Sequence, residues 1–138
     1  MCVLGFAACG GEVTGPNNAG PWLGDWVQVN FLAVDDGGVW DDDIPSGIGF
    51  VASISETQWR ETDEDGAGCS VTFRYSVNAA HQHSKEPVAL GPNCPMIPIE
   101  ELPPETGRLE FLDDGDTMIE WFDLLPGDEI QAFKWRRR

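Results

Sequence analysis

Basic residues are scarce in this chain, and the scarcity limits what it can touch. Against 24 Asp and Glu stand only 8 Lys and Arg, a formal charge of -16. Lys85 and Lys134 are the only lysines, and Lys134, Arg136, Arg137 and Arg138 crowd the C-terminal end, so the body is more acidic still. Such a surface repels phosphate backbones and anionic headgroups, which excludes nucleic acid as a partner and disfavours direct adsorption to a membrane. An Asp-rich, Lys-poor surface also resembles proteins of saline habitats, where molar salt screens self-repulsion within about 3 Å. Long apolar runs are missing too: no stretch approaches the roughly 18 residues that a spanning helix needs. A sustained helical stripe is absent, as are a Gly-x-Ser-x-Gly elbow, a phosphate-binding glycine loop and a His-Glu-x-x-His pair. Carboxylate pairs abound, but in so acidic a chain they carry little specificity. The expectation is a single domain that is not an enzyme and takes no cofactor.

What is present begins at Phe6-Ala7-Ala8-Cys9-Gly10. An apolar residue and two small ones before a cysteine resemble the end of a bacterial lipoprotein signal, with Cys9 as the lipidated residue. No basic n-region or full apolar h-region stands ahead of it, so it looks like a signal whose front half is missing. The resemblance implies a signal remnant over 1–9 and a cell-envelope location. Attachment to the membrane would be by lipid anchor only, on the outer membrane or facing the periplasm; Gly10 in place of an aspartate resembles the outer-membrane sorting pattern. Residues 10–21, loaded with Gly, Pro and Asn, read as a flexible tether, and 22–138 as the folded domain. In that oxidising compartment Cys69 and Cys94, the two cysteines left in the body, are expected to form a disulfide. Two cysteines are too few for a structural zinc site.

Period-two alternation runs through the body. Val27, Val29 and Phe31 alternate with Gln28 and Asn30. Ile48, Phe50, Ala52 and Ile54 share a face, as do Cys69, Val71, Phe73, Tyr75 and Val77. Each reads as an antiparallel strand with one face in a core. Trp59–Thr62, Leu109–Leu112, Thr117–Phe122 and Glu129–Arg136 complete the set. Asp63-Glu64-Asp65-Gly66, Asp113-Asp114-Gly115-Asp116 and Pro126-Gly127-Asp128 have the chemistry of tight hairpin loops. Two longer insertions remain, Asp35–Pro45 with Trp40 in its middle and the Pro-rich Ser84–Gly107. Short strands in meander order predict an all-β fold, a small antiparallel up-and-down barrel, with a β-sandwich as the alternative.

Gly24-Asp25-Trp26, opening the first strand, resembles the Gly-x-Trp signature of the lipocalin superfamily. The closing pair, Asp116–Trp121 and then Ala132-Phe133-Lys134-Trp135-Arg136, is similar to the family's last hairpin. The whole is similar to the compact bacterial lipocalin-like lipoproteins. That resemblance implies that Trp26 plugs one end of a barrel with Arg136 packed over it as a cation on an aromatic face. The longer lipocalins' Thr-Asp-Tyr run and C-terminal helix are absent, which argues against a deep pocket.

In this reading Val29, Phe31, Phe50, Ile54, Phe73, Tyr75, Ile119, Trp121 and Phe133 line the interior. Phe31, Phe50, Phe73, Tyr75, Trp121 and Phe133, with Trp40 at the mouth, are the candidate ligand-binding residues, and Tyr75 is their polar handle. Apolar walls with a few placed polar groups suit a small apolar ligand. A solid barrel has the same makeup, so a structural or inhibitory module that meets an envelope protein through its two long loops is the alternative. His81 and His83, two apart, could chelate a metal, although a polar strand-to-loop junction accounts for them. Asp35, Asp36 and Asp41 to Asp43 could cage calcium but match no EF-hand pattern, and a solvated acidic loop accounts for them.

Overall fold

A computed structural model describes residues 18–40, 49–63, 68–94 and 98–138. Among these, eight strands close into one antiparallel barrel in which each strand pairs with its sequence neighbours and the last pairs with the first. They are β1 (Gly24–Ala33), β2 (Phe50–Ile54), β3 (Trp59–Asp63), β4 (Ser70–Val77), β5 (Gln82–Leu90), β6 (Glu105–Leu112), β7 (Thr117–Phe122) and β8 (Ile130–Arg137). Closure pairs every strand on both sides over at least part of its length, and the barrel, not the sandwich, is the fold. Among the described residues the remaining regular structure is three short 3-10 turns at Val34–Asp36, Ile99–Glu101 and Asp113–Gly115.

The two ends of the barrel differ. Tight connections at 55–58, 78–81 and 113–116 lie at one end, and the long connections 34–49, 91–104 and 123–129 gather at the other. The short-loop end is closed. Trp26 is fully buried there, and its Nε1 donates to the Trp22 carbonyl at 2.8 Å. Trp22 Nε1 donates in turn to the Asn18 carbonyl at 2.6 Å, while Asn18 Nδ2 donates to Tyr75 O at 2.9 Å and Glu56 O at 3.1 Å. Asn18 to Pro21, assigned by composition to the tether, therefore fold under the barrel. Hydrogen bonds from the Asn18, Trp22 and Arg137 side chains to backbone carbonyls, not side-chain periodicity, hold them there.

The basic lid is Arg137, not Arg136. Its guanidinium lies 4.3 Å from the Trp26 ring and donates to Leu23 O at 2.8 Å and Pro21 O at 2.7 Å. Register decides the matter: Arg137 stands opposite Trp26, whereas Arg136 stands opposite Val27 on the outer face. Cys69 and Cys94 are disulfide-bonded, tying the start of β4 to the connection after β5.

The alternation expected for β1 is offset. Trp26 and Gln28 face inward and Val27 outward; then the register shift between Gln28 and Asn30 leaves Val29 as an extra residue, a bulge that reverses the faces. Phe31 is consequently inward, opposite Phe133, while Asn30 and Leu32 are outward. Ile119 and Trp121 also face outward, contrary to expectation. They pack with Leu32 and Ala132 beneath Trp40 in a second apolar cluster on the barrel's outer wall. Trp40 meets Trp121 edge-on at 6.2 Å, and the Lys134 ammonium caps the Trp40 ring at 4.6 Å. Both faces of β7 are covered, so hydrophobicity alone does not mark its inner one.

Candidate functional site

β5 brings an unexpected group to the barrel axis. Gln82-His83-Ser84-Lys85-Glu86-Pro87 has no apolar alternation, and the sequence reads it as loop; its burial nonetheless alternates strictly, with His83 and Lys85 inside. Partners make the difference. Lys85 Nζ, with no exposed side-chain surface, lies 2.6 Å from Glu120, 2.7 Å from Glu61 and 3.0 Å from Glu105. Its ammonium also sits 4.4 Å from the Trp59 ring and 4.6 Å from the Phe73 ring. Pro87 is tolerated because β6 pairs only with Gln82–Lys85, leaving the second half of β5 paired on one side, beside a bulge at Val88.

Glu120 is the anchor of this network. Beside Lys85 it accepts from Trp135 Nε1 at 3.0 Å and from His83 Nε2 at 3.2 Å. Burial alone would raise its pKa, but the Lys85 charge and the hydrogen bonds from His83 and Lys85 outweigh that and hold it down to about 2. Glu61 goes the other way. Burial, reinforced by the charges of Glu120 and Glu105 and only partly offset by Lys85, pushes it up to about 7. Burial opposes the charged form of Lys85 as well, yet the three carboxylates raise its pKa well above the ordinary lysine value. The centre therefore holds a fixed cation with more carboxylates around it than one ammonium neutralises. No reactive amine is on offer: Lys85 is protonated and fully engaged.

Above this charged floor the open end carries a cavity of about 400 Å³. Pro103, Pro104, Leu125 and Ile130 form its walls, Phe122 and Phe133 its base, and Glu105, Asp123, Asp128 and Glu129 its polar edge. Phe122 and Phe133 meet edge-to-face at 5.1 Å, and Phe133 rests edge-on against Trp135 at 6.0 Å. β6, β7 and β8 position these side chains, because Glu105, Phe122 and Phe133 are the inward residues at the mouth ends of their strands. Local bonds stiffen the rim: Thr106 Oγ1 donates to Asp123 Oδ2 at 2.9 Å, and Leu125 N donates to Asp128 Oδ2 at 2.7 Å.

The candidate ligand residues divide. Phe133 lines the mouth cavity. Phe31 and Phe50 are half-buried inward residues at the mouth ends of β1 and β2. Phe73 and Tyr75 belong to the packed core, and Tyr75 is no handle for a ligand, since its hydroxyl donates to Ser55 O at 2.6 Å at the closed end. Trp121 and Trp40 lie on the outer wall. His81 and His83 do not form a chelating pair. Left-handed backbone at His81 (φ 61°) breaks the extension, so His81 packs edge-on against Trp22 and Phe111 while His83 enters the barrel and bonds Glu120. Glu86 is outward, paired with Arg74. Among the described residues no group of three or more His, Cys, Asp or Glu is arranged to hold a metal. Asp36 accepts from the Ala33 amide at 2.9 Å as a turn cap; Ile48, Asp41 to Asp43, and Cys9 lie outside the described residues.

Sequence reasoning missed Lys85, Glu61, Glu105 and Glu120. The one signal for them was the scarcity of lysine: a lone Lys in mid-body, two residues after a His, is a poor candidate for a solubilising surface charge. No protein-family model, curated protein or solved structure matches the chain.

Proposed function

We propose that this chain is a non-enzymatic, lipocalin-like lipoprotein of the cell envelope, tethered through Cys9, whose barrel binds a small molecule with an apolar body at its open mouth. The mouth cavity is the observation that carries this reading. Its size lies at the lower end of small-molecule sites, roughly 300–1,000 Å³, and its lining has their makeup of apolar walls with a few polar groups. A long acyl chain down the axis is disfavoured, because Trp26, Trp59, Trp135, Lys85, Met118 and Glu120 fill the interior with no exposed surface of their own. Catalysis by the buried charges is disfavoured too, since Lys85 and Glu120 already satisfy one another. The test is saturable binding of a polarity-sensitive apolar fluorophore, displaced by unlabelled small aromatics and weakened by Phe133→Ala. Equal binding by both proteins would remove the mouth from consideration. For the anchor, wild type produced behind an export signal should partition into detergent and Cys9→Ser should not.

A second reading rests on a separate observation. Val39, Leu124 and Leu125 expose 71%, 46% and 66% of their surface on mouth-end connections. Exposed apolar side chains around a rim suit contact with another envelope protein, and this reading survives if no small molecule binds.

A further inference from the structure

We infer that the mouth cavity selects organic cations, molecules that carry a protonated or quaternary amine on a compact apolar or aromatic body. The inference rests on the mouth being a small-molecule site and adds the charge of the ligand. Among the described residues that line the cavity four are carboxylates at its edge, and none is Lys, Arg or His. The aromatic pair at its base offers ring faces and edges to an apolar body, and a cation gains further from an aromatic face when water is excluded. Beneath that base the imbalance continues: Glu61, Glu105 and Glu120 share the single Lys85 ammonium. Glu105 belongs to both sets. Its side chain is 39% exposed, it lines the cavity, and its Oε1 meets Lys85 at 3.0 Å, so it links the mouth to the excess of negative charge below. Burial first, and then the charges of Glu120 and Glu105, push Glu61 up to about 7 even with Lys85 beside it.

Low-dielectric walls lined by one sign of charge focus the field on the opening, and the whole chain at -16 adds to it. An anion of the same size would meet that field unfavourably. A neutral isostere would keep the apolar contacts and lose the electrostatic part.

The test compares three probes that share one phenylethyl or benzyl body: 2-phenylethylamine, 2-phenylethanol and phenylacetate. Each is titrated into the whole domain while amide chemical shifts are followed at Thr106, Phe122, Leu125 and Phe133. The amine should bind at least tenfold more tightly than the alcohol at low salt, phenylacetate more weakly than either, and the preference should shrink in high salt. The pair Asp128→Asn with Glu129→Gln, at the rim and away from Lys85, should weaken the amine several-fold and leave the alcohol unchanged; Glu105→Gln is the second variant. Equal affinities for amine and alcohol, or tightest binding of the carboxylate, would overturn the charge assignment while leaving the mouth site standing. No shift at the mouth with any probe would overturn the site and this inference with it.

Discussion

Glu61→Gln is the sharpest probe of the charged centre, because it removes one titration and leaves the side chain's shape. Glu61 is held at about 7 in the folded protein against an ordinary 4.5. Below about pH 4.5 both folded and unfolded chains keep this proton. Between about 4.5 and 7 the unfolded chain releases it while the folded chain retains it, so stability falls as pH rises through that window and levels off above it. At 1.36 kcal/mol per unit, the loss is roughly 3 kcal/mol. Glu120 is shifted oppositely, down to about 2, so its contribution is complete above the ordinary carboxylate value and is lost as pH falls toward 2. The two limbs meet in mild acid, and the wild type should be most stable near pH 4.5, unlike the usual optimum between about 5 and 8.

General self-repulsion also relaxes toward the sequence pI of 4.1, so the raw pH profile is not decisive. The difference between wild type and Glu61→Gln is decisive, because the titrating groups away from the Lys85 cluster largely cancel. Urea unfolding followed by tryptophan fluorescence at intervals from pH 4 to pH 8 supplies both curves. The wild type should lose about 3 kcal/mol relative to the variant across that range, with the midpoint of the loss near pH 6. Parallel curves would show that Glu61 does not titrate abnormally, and the buried network around Lys85 would then be wrong.

Three further outcomes follow from the packing. Reducing the Cys69–Cys94 bridge, which spans 25 positions, should lower stability by about 2–4 kcal/mol, and an unchanged urea midpoint under reductant would contradict it. Trp26→Ala should cost about 3–5 kcal/mol, Arg137→Ala less, and the double variant less than their sum, whereas Arg136→Ala should stay within about 0.5 kcal/mol; strict additivity in a double-mutant cycle would separate Arg137 from the plug. A Cβ on Gly107 would fall 1.7 Å from the Trp121 carbonyl oxygen, so Gly107→Ala must push β6 from β7 and should cost at least about 1–3 kcal/mol, measured as a lowered thermal midpoint.

Hydrophobic alternation revealed the strands whose inner faces are apolar and little else. β4, with Phe73 and Tyr75 inside, and β2, with Ala52 and Ile54 inside, were legible because apolar side chains need no partner to be buried. β5 was illegible for the opposite reason: His83 and Lys85 are buried only because Glu61, Glu105 and Glu120 arrive from β3, β6 and β7, and local sequence carries no record of that meeting. The face errors on β7 have a second cause. Trp40 covers the outer wall, so Ile119, Trp121 and Ala132 are as apolar as core residues without lining the core. The bulge at Val29 and the choice of Arg137 over Arg136 are matters of a single residue of register, which turn chemistry and long-range pairing set together.

The same polarity that hid β5 also bears on the proposed mouth site. An apolar β5 would leave the axis free for a greasy ligand or would fill it with hydrocarbon; Lys85 fills it with charge instead, and an ammonium ringed by carboxylates admits no acyl chain. The mouth keeps a cavity of about 400 Å³ above it, where Phe122 and Phe133 roof the network and Glu105 reaches through it. In a chain with so few bases, both lysines are structural: Lys85 compensates the centre, and Lys134 caps Trp40 over the outer cluster. Neutralising Lys85 would strand Glu120 and its neighbours as buried anions without a partner, a class of change that costs about 3–5 kcal/mol. Losing the Lys134 ammonium at a half-buried ring forfeits only a contact of about 0.5–2 kcal/mol. The scarcity of base therefore does not reflect an indifferent acidic surface. Among the described residues that line the mouth none is basic, and the one ammonium that reaches its edge, Lys85, is bound to Glu105 from below.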